Sequence, residues 1–185
     1  MGISALSMDY VIRKAKLDER KAIERLIVES ARKLSRADYS EQQIETAIST
    51  VFGVDTTLIL DETYFVAESD GQLIGCGGWS RRKTLFGGDQ FASRDSSELD
   101  PKKDAAKIRA FFVLPEYARQ GIARAILAAC EREARACGFQ SIELMATLPG
   151  LKLYRACGYE GEERVEYEIG EGLRIEFVPM RKDLG

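Results

Sequence analysis

The sequence contains no histidine. That absence excludes every mechanism in which an imidazole acts as base or nucleophile, and it removes the commonest ligand of a zinc site. The four cysteines, Cys76, Cys130, Cys137 and Cys157, include no Cys-x-x-Cys pair. Neither a zinc cluster nor a dithiol redox motif is therefore expected, and no metal is assigned. Each cysteine reads as a small apolar core residue, and a chain without a disulfide framework suits a reducing, cytoplasmic setting. No apolar run approaches the ~20 residues of a membrane span. Residues 1–8 lack a basic stretch followed by a long apolar one, so secretion is not expected and these residues read as a disordered leader. An excess of positive charge is missing too: Lys and Arg number 27 against 30 Asp and Glu, a net charge of -3. Scattered basic residues on a mildly acidic chain leave no footprint for nucleic acid, whose binding rests on phosphate neutralisation. A local basic pocket for a small anion stays open.

What is present is enough for one self-sufficient domain over residues 9–185. A chain of 185 residues buries roughly 70 % of the surface that its unfolded form exposes, so it folds without staples. Tyr10 to Arg13 reads as an opening strand. Asp18 is placed as the N-cap of a first helix, with Ile23, Leu26, Ile27, Ala31 and Leu34 on its apolar stripe. Ser40 and Gln43 form a capping box for a second helix that carries Ile44, Ala47, Ile48, Val51 and Phe52 inward and ends at Gly53. Thr63 to Glu68 and Leu73 to Trp79 form a hairpin about Asp70-Gly71. Residues 83–104 show no period and are long for a bare connection, which marks them as a functional or mobile loop.

A nearly continuous apolar strand, Lys107 to Val113, follows. A third helix from Ile122 to Gly138, a buried strand from Phe139 to Ala146 and a short helix from Leu151 to Cys157 come next. A closing hairpin spans 164–169 and 173–180. The strand–helix–strand unit over 107–146 is expected to be parallel and right-handed. The fold class is α/β (α+β), one mixed sheet flanked by helices. Edge strands leave a homodimer open.

The chemistry concentrates after the strand that ends at Val113. Gly121 lies where a loop opens a helix. Such a helix start presents unpaired N–H groups and the positive end of the helix dipole, and glycine lets an anion approach closely. Arg119 and Arg124 add charge at the rim. This is a pyrophosphate cradle by physical logic, although glycine needed for packing alone would look the same. It is not a P-loop, since no Gly-Lys-Ser/Thr follows.

Val113-Leu114-Pro115, then Ala118-Arg119-Gln120-Gly121-Ile122-Ala123, and later Leu153-Tyr154-Arg155-Ala156-Cys157-Gly158-Tyr159 together resemble the GNAT acetyltransferases. Their loop runs Gln/Arg-x-x-Gly-x-Gly/Ala after a Val-x-Pro strand end, and a Leu-Tyr-x-x-x-Gly-Phe segment follows further on. The resemblance covers about residues 9–180 and implies the GNAT fold, with a sheet of six to seven strands. It implies an N-acetyltransferase that moves acetyl from acetyl-CoA to a primary amine of a small molecule or peptide, by direct attack in a ternary complex. It implies a cofactor site of Phe111, Phe112, Val113, Ala118, Arg119, Gln120, Gly121, Ile122, Ala123 and Arg124, with the backbone of the first three pairing pantetheine amides. Tyr154 is then the general acid for the leaving thiolate, whose free pKa is about 8.5.

Three positions depart from the family pattern. Ala118 replaces the first Gln or Arg, Thr147 stands where Asn is common, and Lys107 takes a strand position often held by an acid. Without histidine, Glu143 is the candidate base, with Glu98 and Asp104 of the long loop behind it. Trp79, Tyr64, Phe86, Phe91 and Tyr167 are candidate walls of an acceptor pocket. Cys157 offers a covalent acetyl route as a minor alternative. Two other classes of reading stay open: a non-catalytic acyl-CoA sensor, and a nucleotide-phosphate binder of another fold.

Overall fold

The computed structural model describes residues 9–91 and 94–185, so the expected leader lies outside the described residues. β1 (Val11–Lys14) is followed by a 3-10 turn and then α1 (Arg20–Leu34). The helix opens later than Asp18 suggests because Leu17–Glu19 first form the 3-10 turn, which the Glu19 side chain closes, and α1 itself starts at Glu19 with no side-chain cap. The Glu19 carboxylate accepts the Lys16 N–H at 2.8 Å and is also clamped by Arg13. The Ser40–Gln43 box does start α2 (Glu41–Thr50), with both reciprocal hydrogen bonds formed. A short helix unmarked in the sequence, α3 (Thr56–Leu60), comes next; Asp55 caps it by accepting the Thr57 N–H.

β2 (Tyr64–Ser69) and β3 (Gln72–Ser80) pair antiparallel around Asp70-Gly71. Both turn residues have positive φ, 49° and 77°, the conformation a two-residue hairpin demands. β4 (Ala106–Val113), α4 (Ile122–Ala136) and β5 (Ser141–Thr147) form the parallel unit. α5 (Leu151–Ala156) precedes β6 (Val165–Gly170) and β7 (Leu173–Asp183). The sheet order is β1-β2-β3-β4-β5-β7-β6, with every pair antiparallel except β4 with β5. Among the described residues no helix is long and apolar enough to cross a membrane.

Strand alternation assigns the two faces. On β3, Gly75 lies against Ile122 and Ile126, and Trp79 donates its indole N–H to Glu133. This face is therefore covered by α4. The alternate residues face α1 and α2, which pack on β3, β4, β6 and β7. The core between the layers is apolar and fully buried: Ile23, Ile27, Ile74, Ile126, Ile142 and Ile175.

One tyrosine ties three elements together. The Tyr39 hydroxyl donates to the Glu176 carbonyl at 2.7 Å and accepts the Leu148 N–H at 2.9 Å. Burial pushes this phenol up to about 12. Tyr39→Phe orphans a donor and an acceptor, which should cost about 1–3 kcal/mol and lower the melting temperature by roughly 3–8 °C. Because the folded value is raised, the stabilisation is complete below the unfolded phenol's value near 10 and is lost as pH climbs toward 12. Parallel melts of the two proteins at pH 8 and pH 11 check both statements; a gap of equal size at the two pH values would contradict the second.

Candidate functional site

β4 and β5 pair at only two positions, Ala106 with Ile142 and Lys107 with Glu143, and then part. Divergence leaves backbone groups of β4 without a neighbour. The Leu114 N–H bonds the Ile74 carbonyl on β3, so alternation turns the Val113 and Phe111 groups the other way, toward the gap. A bulge sits just before them. The β3–β4 register slips between Cys76 and Gly78, and Ala110 takes a φ of 53°. A non-glycine residue in the left-handed region is strained, and such bulges re-aim the side chains that follow. The Tyr64 hydroxyl holds this one in place by donating to the Ala110 carbonyl at 3.0 Å.

The bulge sends successive rings to opposite faces. Phe111 lies on the α4–α5 side, over Gly77, where a Cβ would sit 2.6 Å from its ring. It meets Tyr154 edge-on at 6.5 Å. Phe112 lies on the other side, 5.8 Å from Phe52 at the end of α2. Between them is a cavity of about 90 Å³ that passes through the sheet where the strands part. Its aromatic wall is Phe52, Phe86, Phe111, Phe112, Tyr154 and Phe177. Tyr154 is buried, and burial first, then the nearby Cys130 and Cys157 thiols, push its phenol far above the usual value of 10. No hydrogen bond enters that shift.

The roof is the start of the long loop, and it is tied down rather than loose. The Arg109 guanidinium, buried on β4, donates to the Thr84 carbonyl at 3.0 Å, the Gly87 carbonyl at 2.5 Å and the Asp55 carboxylate at 2.8 Å. Burial pulls this guanidinium down from its ordinary range, and Asp55 opposes that pull. Arg94 reaches Asp55 from the far side at 2.6 Å and also the Gly88 carbonyl. Asp89 bonds the Thr56 N–H and pairs with Arg20. Residues 84–89 are therefore fastened to α3 and β4 by backbone and charge together. Arg109, Asp55, Phe52 and Phe177 carry no sequence motif. The one signal that marks any of them is an arginine inside the apolar strand 106–113.

At the open end of β4, Gly121 is the N-cap of α4, with φ 85° and no side-chain cap. The first backbone bond back to it comes from the Ala125 N–H, so the Ile122, Ala123 and Arg124 N–H groups are unpaired within the helix. A Cβ on Gly121 would meet nothing within 4 Å, so the approach is open. Arg119, with φ 61°, and Gln120 and Arg124 are exposed around it. Gln120 returns to the Glu116 carbonyl at 3.0 Å. Ala118 sits half-buried beside them. This arrangement fits a pyrophosphate: three convergent donors, a helix N-terminus and two mobile cations.

Several expected residues lie elsewhere. Glu143 is ion-paired with Lys107 at the last paired position of the two strands, and it does not line the cavity. The carboxylate is drawn to the cation that the sequence itself places opposite. Asp104 caps the Asp100 N–H, and Glu98 is exposed near Arg81. Trp79 and Tyr64 are wholly buried in the sheet. Phe91, Tyr167 and Phe177 do come together around Phe86. Cys157 is outside the cavity wall.

The sequence profile of the Acetyltransferase (GNAT) family matches residues 28–159. No curated protein sequence matches. Among solved structures, a GCN5-related N-acetyltransferase from Rhodopseudomonas palustris superposes with a TM-score of 0.71 at 18 % identity, covering 96 % of this chain and 98 % of that one. The PaiA N-acetyltransferase of Thermoplasma acidophilum, solved with coenzyme A, gives 0.64 at 18 % identity over 95 % and 99 %. YncA of Salmonella typhimurium, solved with acetyl-CoA, gives 0.63 at 14 % identity over 96 % and 95 %. The profile match spans well over half of the sequence, and the parted β4–β5 pair and uncapped glycine helix agree with it: the chain belongs to the GNAT acetyltransferase family.

Proposed function

We propose that this protein transfers the acetyl group of acetyl-CoA to a primary amine of a small molecule or peptide, by direct attack while both substrates are bound. The observation that carries the reading is the pairing of two features at the end of β4: β5 parts from it after Lys107, and the uncapped N-terminus of α4 opens shortly after Val113. Similar folds solved with coenzyme A and acetyl-CoA support it. The Ile122, Ala123 and Arg124 N–H groups would take the pyrophosphate, with Arg119 and Arg124 at its rim. The Phe111 to Val113 edge would pair the pantetheine amides as an added strand does.

Acetyl-CoA supplies an activated thioester. The amine nitrogen bonds to its carbonyl carbon, the C–S bond breaks, and sulfur takes a proton. The Val113 N–H, free toward the gap, is the donor suited to the developing oxyanion. Tyr154 is the group suited to protonate sulfur, since burial keeps it in the neutral, donating form. Glu143 is not carried into this mechanism, because Lys107 holds it away from the cavity.

Acetyl-CoA at about 100 times its dissociation constant should add about 2.7 kcal/mol of stability, a rise in melting temperature of roughly 5–10 °C. ATP should give none. Gly121→Glu should abolish the shift, because it puts a side chain at a φ of 85° and a carboxylate where phosphate oxygens belong. A shift that survives in that variant would remove the α4 N-terminus from the reading. An acyl-CoA sensor without turnover is favoured by one observation, the lack of a carboxylate on the cavity wall among the described residues. Release of free thiol in the presence of amines excludes it.

A further inference from the structure

We propose that the acceptor is an aromatic amine, a compound whose amino group sits directly on a small flat ring, bound with its nitrogen uncharged. This rests on the acetyl-transfer reading above and names the acceptor class for the same site. The wall chemistry carries it. Six of the cavity-lining side chains are aromatic, and Val51, Leu85, Ile108, Leu144 and Met145 fill much of the rest.

Among the described residues, the titratable groups that face the cavity are two: Arg109 from β4 and Tyr154 from α5. The end of α2, the loop over 85–88, β5 and β7 contribute none. Arg109 is a cation whose carboxylate partner, Asp55, is itself buried and shared with Arg94. Tyr154 is held neutral. An ammonium group entering this space would leave water and, among the described residues, find no carboxylate on the wall to pair with, an arrangement that costs far more than it returns. A polyamine or a lysine side chain is therefore the wrong shape of charge. Phe86 lines the cavity and is held by Phe177 at 5.4 Å and Tyr167 at 4.7 Å, so an aromatic edge is fixed in place for a further ring to meet.

A neutral amine also resolves the missing base. An aromatic amine reaches the site as R-NH2. As the C–N bond forms and the C–S bond breaks, nitrogen loses one proton and sulfur gains one. The two balance, and no carboxylate is required to strip an ammonium beforehand. An alkyl ammonium would have to lose two protons, one of them before attack.

The test is thiol release from acetyl-CoA by the intact protein with 4-methylaniline, benzylamine, spermidine and free lysine at pH 7.5. The expected kcat/KM for 4-methylaniline exceeds that for spermidine and for lysine by roughly 100-fold or more. It should be flat between pH 6 and 9, whereas that for benzylamine should rise roughly tenfold per unit toward the pKa of its own ammonium. Phe86→Ala should raise KM for 4-methylaniline about tenfold and leave kcat within about twofold. Spermidine or lysine equalling the aromatic amine overturns the proposal, as does failure of every aromatic amine in a protein that acetyl-CoA still stabilises. If acetyl-CoA gives no thermal shift, the acetyl-transfer reading itself falls and this proposal falls with it.

Discussion

Tyr154→Phe should lower kcat by roughly 10²–10⁴, while the thermal shift produced by acetyl-CoA stays as it is. The substitution is clean because the ring does the packing and the hydroxyl does not. Phe in its place keeps the edge-on contacts with Phe111 at 6.5 Å and Tyr159 at 5.7 Å, and no hydrogen bond of the phenol enters its raised pKa. What is lost is the proton for the departing sulfur. The same burial makes a statement about pH. With the phenol held well above its ordinary value of 10, the donating form persists throughout the working range. The kcat profile should show no falling limb from this group below about pH 10. A limb near pH 8, or turnover unaltered in the variant, would take Tyr154 out of the reaction.

The second large effect belongs to Arg109. Its guanidinium and the Asp55 carboxylate are each almost wholly buried, at 2 % and 1 % side-chain exposure. Arg109→Met leaves Asp55 with Arg94 alone and strips the donor from the Thr84 and Gly87 carbonyls. Breaking a buried pair by removing one partner costs about 3–5 kcal/mol, which for a chain of this size is a fall of roughly 6–20 °C in melting temperature. Arg109→Lys retains the charge but lacks the planar fork that serves three acceptors at once, so it should recover only part of the loss. Because the released carbonyls belong to the cavity roof, KM for the amine should rise in Arg109→Lys more than KM for acetyl-CoA. Urea melts and steady-state kinetics on the two variants measure both. Stability within about 1 kcal/mol of the parent in Arg109→Met would show that the cluster fastens nothing.

Much of this architecture follows from short-range chemistry. The Ser40–Gln43 box, the Asp70-Gly71 turn and the glycines at 138 and 158, with φ of 91° and 88°, are local devices whose geometry depends on a few neighbouring residues. For that reason the element order over the described residues is readable before any coordinates, as is the position of Gly121 at a helix start. The short helix α3 escapes such a reading because five residues are too few to show a period. Its evidence is a single capping aspartate, which tertiary partners then claim as well.

Tyr154 and Glu143, the acid and base that the sequence offers as candidates, show the boundary most clearly. Tyr154 is set by its helix, and any fold that packs α5 against the parted strands brings its ring to the cavity. Glu143 is adjacent to the gap in sequence, yet its environment is decided by Lys107, 36 residues away, across the last paired position of β4 and β5. The start of the long loop, residues 84–89, reads as featureless because its order comes from outside itself: Asp55 and Thr56 lie about 30 residues back, and Arg109 20 or more residues on.

The sequence by itself therefore determined the family, the order of the strands and of every helix but α3, the glycine at the start of α4, and the exclusion of histidine and Cys-x-x-Cys chemistry. Those rest on backbone propensity and on motifs spanning fewer than ten residues. Only the tertiary structure decided the wall of the cavity beside the parted strands. An aromatic wall without a carboxylate is assembled from α2, β4, β5, β7, α5 and a loop, and the energy of a charge in that wall depends on partners that no stretch of sequence holds together.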